Sequence, residues 1–96
     1  MATDDLLKRN REQILRVCTQ HGALNVRVFG SFARGEAGPE SDVDLLIDVA
    51  SEHSAWFPGG LLMDLQDLLG RKVDIVEPDA LHWYIRDNIL KDAVLL

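Results

Sequence analysis

Apolar and polar residues recur with a helical period over the first part of the chain. Leu7, Ile14 and Cys18 fall on one stripe, and charged side chains occupy the opposite side. This pattern predicts an amphipathic helix over residues 4–20. Gly22 follows it closely, and glycine tolerates the left-handed backbone that ends many helices.

Three later segments have strand patterns, and helical segments separate them. The strand patterns cover residues 25–29, 42–49 and 72–76. A short helix is predicted to begin at Ser31, and a longer one covers residues 60–69. The longer helix has four leucines facing inward: Leu61, Leu65, Leu68 and Leu69.

A last helix is predicted over residues 80–91, with Asp79 as its N-terminal cap. Its main apolar stripe is expected to pack on the sheet and consists of Leu81, Ile85 and Ile89. The apolar tail at residues 93–96 either adds a final short strand or extends this helix. Helices and strands alternate throughout, which is typical of a small α/β domain with helices packed on one sheet.

Size and charge limit the classes of function. Ninety-six residues suffice for one modest core, so residues 1–96 are predicted to form a single domain. The net charge is −6 and the basic residues are scattered, which disfavours direct nucleic-acid binding unless a partner supplies a basic surface. With one cysteine, no signal-peptide pattern and no membrane-spanning apolar run, a cytoplasmic setting is expected.

The first candidate for chemistry is the pair Gly30–Ser31, between a predicted strand and a predicted helix start. Backbone N–H groups and the positive end of a helix at such a turn bind phosphate readily. Glycine lets the backbone approach a ligand closely, and the Ser31 hydroxyl adds a donor. Many such pairs only cap a helix, so the pair alone leaves both interpretations open.

Three aspartates are the second candidate. Asp42 and Asp44 are two apart on a predicted strand, so both carboxylates project from one face and repel each other unless a cation neutralises them. Asp74 lies within an apolar strand, where an unpaired charge is costly. The alternatives are an acidic strand start in solvent and a solvated sheet face. If the third strand pairs with the second, the three carboxylates suit two metal ions about 3.5–4 Å apart.

Together these residues form a longer pattern. The segment from Gly30 to Asp44 resembles the Gly-Ser, ten residues, Asp-x-Asp signature of the DNA polymerase β-type nucleotidyltransferases. The chain also resembles the minimal nucleotidyltransferases, which are antitoxin-like partners of HEPN-domain toxins. The resemblance lies in its short length, its net negative charge and the sequence Phe-Gly-Ser-Phe-Ala-Arg-Gly-Glu-Ala. The resemblance implies a small mixed sheet with helices packed on it.

The resemblance also implies a role for each residue. Asp42 and Asp44 would hold two Mg²⁺ ions, and Asp74 would complete the site of the ion near the attacking oxygen and could receive its proton. Gly30 and Ser31 would hold the β- and γ-phosphates of ATP, which leave as pyrophosphate. Arg34 is a candidate phosphate contact, or else an exposed arginine at a helix start.

Three functions remain open at this point. The first is transfer of AMP from ATP to a hydroxyl, a tyrosine of a HEPN-type ribonuclease toxin, by which the chain acts as an antitoxin. The second is a non-catalytic antitoxin that neutralises its partner by binding; intact Gly-Ser and aspartate positions argue against it. The third is a nucleotidyltransferase that acts on a small molecule such as an aminoglycoside.

Several other chemically capable residues are predicted to lie outside the site. The histidines show no metal-ligand spacing, the cysteine lies on a core stripe, and Asp48 is about 13 Å beyond Asp44 along the strand. These residues are His21, His53, His82, Cys18 and Asp48. Trp56 and Phe57 either stack on a nucleobase or cover the core.

A second apolar line on the last helix predicts a contact surface. Trp83 and Leu90 are seven residues apart and lie almost opposite Leu81. A domain of this size has little material to cover both faces of a helix, so these residues are expected to contact a toxin-like partner or a second copy. The alternative is that residues 93–96 fold back over them.

Overall fold

The structure, a computed structural model, describes residues 5–53, 55 and 57–96. The N-terminal pattern forms two consecutive helices, α1 (Asp5–Arg9) and α2 (Arg11–His21). Asn10 separates them, because its Nδ2 donates to the Leu6 carbonyl oxygen at 2.8 Å and competes with the backbone for that acceptor. The predicted helix is thus present but divided, and its first residue, Asp4, lies outside the described residues.

The remaining elements follow the predicted order, with shifted boundaries. The strands are β1 (Ala23–Phe29), β2 (Val43–Val49), β3 (Val73–Val76) and β4 (Val94–Leu95). Between them lie α3 (Gly59–Leu69), a 3-10 helix (Pro78–Ala80) and α4 (Trp83–Asp92).

The four strands form one mixed sheet in the order β3–β2–β1–β4. β1 is antiparallel to β2 and β4, and β2 is parallel to β3. The parallel pair requires a crossover, which α3 provides. The predicted fold class is confirmed, and the apolar tail forms a strand rather than extending the last helix.

One face of the sheet packs against α2 and α3. Val43, Leu45 and Ile47 point to this side and are 0% exposed. The helices contribute Ile14 and Cys18 from α2, and Leu61, Leu65 and Leu69 from α3. Full burial of an aliphatic side chain contributes about 1.5–3 kcal/mol, so this face supplies most of the apolar stabilisation. Leu68, also predicted to face inward, is only half-buried.

The predicted short helix after Ser31 is absent, and residues 30–35 form successive turns. The Arg34 N–H donates to the Gly30 carbonyl at 3.2 Å, and the Glu36 N–H donates to the Ser31 carbonyl at 2.9 Å. Gly35 then adopts a left-handed φ of 71°, which stops the helical path after a single turn.

The last helix begins later than predicted, at Trp83. Asp79 lies in the 3-10 helix after Pro78, and His82 is the cap instead, its Nδ1 accepting from the Tyr84 N–H at 3.2 Å. The later start leaves Leu81 outside α4.

α4 packs less closely than its stripe predicts. Ile85 is 45% exposed, no residue of α4 is buried, and Leu81 and Ile89 are only half-buried. The prediction that this stripe packs on the sheet is therefore wrong for Ile85. In the described part of the chain, no helix has the length and apolar character needed to cross a membrane.

Candidate active site

Two aspartates meet where β2 and β3 run side by side. Asp44 is the register partner of Asp74, so both side chains project from the sheet face opposite the core. The expected pairing of the second and third strands is confirmed. Asp74 is exposed. The expectation that its carboxylate is buried among apolar neighbours is therefore wrong, and the alternative that it lies on a solvated sheet face is the one that describes its exposure.

Asp44 has a perturbed carboxyl group. Burial is the main cause of its raised pKa, and repulsion from the carboxylates of Asp74 and Asp42 raises the pKa further. The positive charge of Arg34 lowers it. Leu46, two residues along the same face, is fully buried, so Asp44 stands beside an apolar surface. Carboxylates gathered in a partly desolvated place favour a cation between them.

Asp42 lies immediately before β2 and has the same parity as Asp44. Its Oδ2 is 3.9 Å from the Lys72 ammonium, and the two side chains are 42% and 68% exposed. An ion pair of that length and exposure contributes little to stability. Lys72 therefore leaves Asp42 available to a stronger cation.

Gly30 lies directly against the Asp44 carboxylate. Its φ is 73°, in the left-handed region, and a Cβ at this position would overlap Asp44 Oδ2. Both the backbone conformation and the close approach therefore require glycine. Glycine was expected to let a ligand approach; the structure adds that it lets Asp44 approach.

The turn after Gly30 also carries backbone donors. Within residues 5–53, 55 and 57–96, the N–H groups of Ser31, Phe32 and Ala33 donate to no carbonyl. Consecutive N–H groups of this kind form a concavity that binds anions. Because no helix follows, these local donors, rather than the dipole of a long helix, would attract phosphate.

Arg34 is exposed and already paired. Its Nε donates to Glu36 Oε2 at 3.1 Å, and its Nη1 donates to Asp92 Oδ2 at 3.3 Å. Its charge still reaches Asp44, since it lowers the pKa of that carboxyl group. Contact with a phosphate would require Arg34 to leave one or both acidic partners.

The three aspartates supply part of the ligand set that a divalent cation needs. No group of three His, Cys, Asp or Glu side chains among the described residues is close enough to hold a metal ion by itself. Mg²⁺ usually takes one or two carboxylates and completes its shell with water and substrate phosphates. Asp42, Asp44 and Asp74, beside a turn with available backbone N–H donors, fit that partial set.

The comparison with known families identifies the family of this chain. Residues 11–96 match the model of the nucleotidyltransferase domain. The chain belongs to the nucleotidyltransferase family. It is therefore an enzyme of the transferase class, with relatives named for protein adenylyl transfer.

Three relatives of this nucleotidyltransferase are informative. The protein adenylyltransferase MntA of Thermococcus cleftensis is 35% identical over 91 residues, 86% of this chain and 92% of the relative. A solved candidate minimal nucleotidyltransferase is 41% identical, with a TM-score of 0.85 over 97% of this chain and 95% of its own. A toxin–antitoxin complex solved with AMP-PNP has a TM-score of 0.75 at 18% identity, over 90% and 71% of the two chains. At that identity, the last likeness shows the fold alone.

The residues of this nucleotidyltransferase that were predicted to lie outside the site make contacts elsewhere in the structure. Asp48 accepts from Arg27 Nη2 at 3.1 Å, and His21 Nε2 lies 2.8 Å from Asp64 Oδ2. Cys18 is 0% exposed, and burial raises its thiol pKa to about 11. His82 caps α4 and His53 contacts the Phe57 ring. Phe57 packs against the core, as its second interpretation predicts, whereas Trp56 lies outside the described residues.

Sequence reasoning assigned no role to Arg71 and Lys72. They lie just before β3. The parallel register of β2 and β3 places them beside the residues that precede β2, and Lys72 lies 3.9 Å from Asp42. The sequence signal that could have identified them is their position, three and two residues before Asp74. That position indicates a role near the site only once the pairing of β2 with β3 is known.

Proposed function

We propose that this nucleotidyltransferase transfers AMP from ATP, with Mg²⁺ bound, to a tyrosine hydroxyl of a HEPN-type ribonuclease toxin and so acts as an antitoxin. The observation that carries the proposal is the contact of the Gly30 turn with Asp44, on the face from which Asp74 also projects. A triphosphate at the turn would bring its phosphates beside carboxylates able to share a divalent cation with it.

Each site residue has a defined task in this proposal. Asp42 and Asp44 would hold two Mg²⁺ ions, and Asp74 would complete the side near the acceptor. When bound, the ions offset the negative charge that develops around the α-phosphorus. Gly30 and Ser31 position the β- and γ-phosphates through N–H and hydroxyl donors, and Arg34 is a further phosphate contact once released from its acidic partners.

The bond changes follow from that placement. The acceptor oxygen attacks the α-phosphorus in line and forms a new P–O bond. The bond from the α-phosphorus to the bridging oxygen of the β-phosphate breaks, and pyrophosphate leaves with the electron pair. Asp74 accepts the hydroxyl proton. Its exposure supports this task, since an acceptor can reach it from solvent.

Two observations support a protein acceptor. A relative of similar length is named a protein adenylyltransferase. The net charge of −6 also complements a basic, RNA-binding partner.

The surface of α4 is the proposed contact for this acceptor protein. Trp83 is 73% exposed and Leu90 is 37% exposed. The tail does not cover Trp83, because Val94 and Leu95 pair with β1. Asp92, at the other end of the ten-residue helix, reaches Arg34 beside the site. An acceptor on α4 would therefore contact a helix about 15 Å long whose C-terminal end reaches Arg34. Self-association through the same two residues is the competing outcome.

Label transfer tests the catalytic assignment. The chain is incubated with Mg²⁺, α-labelled ATP and a HEPN-type ribonuclease as the candidate acceptor. The Asp42→Asn/Asp44→Asn variant should lose labelling, because both metal-binding carboxylates are gone. Asp48→Asn, which changes a carboxylate on the same sheet face, is the control and should retain it.

The other functions predict different results. Equal labelling by the double variant and the unchanged protein contradicts the catalytic assignment. Inhibition of the ribonuclease by the double variant, without label, indicates a non-catalytic binding module. Labelling of an aminoglycoside but not of the protein indicates a small-molecule acceptor.

A further inference from the structure

The two halves of the site come from separate segments of the chain. Gly30–Ser31 lies at the end of β1, and Asp42 lies at the start of β2. Between them, Gly38 to Ser41 form a closed turn, in which the Ser41 N–H donates to the Gly38 carbonyl at 3.2 Å and Ser41 Oγ accepts from the Gly38 N–H at 2.7 Å. These bonds fix the turn internally but do not fix it to the phosphate-binding half.

Arg71 makes that connection. Its Nη1 donates to the Gly38 carbonyl at 2.9 Å and to the Ser41 carbonyl at 3.2 Å. Its guanidinium carbon also lies 5.6 Å from the centre of the Phe32 ring. Phe32 is 4% exposed and follows Ser31 directly, whereas the Ser41 carbonyl belongs to the peptide bond before Asp42. One half-buried side chain thus contacts both segments that build the site.

The segment that carries Arg71 also carries the third aspartate. The next residue, Lys72, accepts at its carbonyl from the Val43 N–H at 2.9 Å. Asp74 follows in register with Asp44. Position 71 is therefore fixed relative to both aspartates by the β2–β3 pairing.

We propose that Arg71 is a positioning residue that sets the separation of the Gly30–Ser31 turn and Asp42, and thereby the affinity for a metal-bound triphosphate, without touching the nucleotide. The inference rests on the proposed function of this site. A planar guanidinium can donate to two carbonyls while its face lies on an aromatic ring. Lysine keeps the charge and can donate to carbonyls but lacks the flat guanidinium face, so it retains only part of this role.

The test measures binding directly. Calorimetry with Mg²⁺ and a non-hydrolysable ATP analogue compares the unchanged chain with Arg71→Met and Arg71→Lys. Without Arg71, the Gly30–Ser31 turn and Asp42 would no longer be held at the separation that lets both contact one ligand. Arg71→Met should therefore weaken binding about tenfold, and Arg71→Lys should give an intermediate loss. Arg16→Met, at an exposed arginine on α2, is the matched control and should bind as the unchanged chain does.

A kinetic comparison separates positioning from a merely structural role. With the protein acceptor, the KM for Mg-ATP should rise about tenfold in Arg71→Met while kcat stays within about threefold. A fall in kcat at constant KM would overturn the inference, because it indicates contact made only in the transition state. Unchanged KM and kcat with a lower Tm would also overturn it, since Arg71 would then serve stability alone.

A second variant keeps the test decisive if Arg71→Met does not fold. Phe32→Leu keeps the arginine and an apolar core residue but removes the ring, and it should give a smaller loss of triphosphate affinity. If this variant and Arg71→Lys both bind as the unchanged chain does, the inference is wrong. If the unchanged chain itself binds no Mg-triphosphate, the proposed function fails instead.

Discussion

The two faces of the sheet differ in the burial and charge of the side chains that β2 presents to them. On one face of β2, Val43, Leu45 and Ile47 are 0% exposed against α2 and α3. On the other, Asp44 and Asp48 are half-buried, and Asp44 has its pKa raised by burial and by neighbouring carboxylates. The first face supplies most of the apolar stabilisation, and the second places carboxylates that repel one another beside the buried Leu46.

The helices repeat this contrast. α3 buries Leu61, Leu65 and Leu69, whereas α4 buries none of its residues. A helix with exposed aromatic residues beside a site is suited to a partner rather than to the core. The two sides of the molecule should therefore respond differently to substitution.

The largest expected effect on stability belongs to the packed face. Leu65→Ala should lower the free energy of unfolding by about 2–5 kcal/mol, since it leaves a cavity in a closely packed core. Met63→Ala on the same helix, at a side chain 65% exposed, is the control and should change it by less than about 0.5 kcal/mol. Urea unfolding measures both. Equal effects would contradict the assignment of this face to the core.

Ser31→Ala tests the polar face through ligand affinity. Loss of one hydrogen bond to a charged phosphate should weaken ATP binding by about 1.5–3 kcal/mol. AMP lacks the β- and γ-phosphates and should be nearly insensitive to the change. Calorimetry with both nucleotides decides, and equal losses would place the turn away from the terminal phosphates.

Trp83→Ala tests the role of α4. Removal of an exposed aromatic anchor should weaken the complex with the acceptor protein by more than about 1 kcal/mol. The Tm of the isolated chain should fall by only a few degrees, because Trp83 is 73% exposed. Size-exclusion chromatography with light scattering follows the complex, with Met63→Ala as a second exposed apolar control. A collapse in the stability of the isolated chain would show that Trp83 belongs to the core.

The smallest effect is expected for Asp44→Asn in metal-free buffer. The folded-state pKa of Asp44 is raised, so its contribution to stability is present at low pH and is lost as pH rises through that pKa. At pH 7 the substitution should leave the Tm unchanged or slightly higher, because it removes like-charge repulsion. The difference should vanish below about pH 3, where the carboxyl is protonated in both the folded and the unfolded state. A Tm that falls at pH 7 would contradict this account of the charge cluster.

Local signals explain which features could be predicted from the sequence. Gly30–Ser31 and Asp42-x-Asp44 were recognisable because their spacing lies within one short segment. Asp74 was assigned conditionally, since its role depends on which strands pair. The start of α4 was misplaced because Pro78 begins a 3-10 helix, so that His82 becomes the cap instead of Asp79. The position of Arg71 before Asp74 could not reveal its role, because its carbonyl partners are about thirty residues earlier in the chain.

The most direct test of the central claim uses ATP labelled at two positions. The unchanged chain, Mg²⁺ and the acceptor protein are incubated with either α-labelled or γ-labelled ATP. Attack at the α-phosphorus predicts label on the acceptor from α-labelled ATP alone, with the γ-label released in pyrophosphate. Label from γ-labelled ATP, or none from either, would contradict nucleotidyl transfer at the face formed by Gly30, Ser31, Asp42, Asp44 and Asp74.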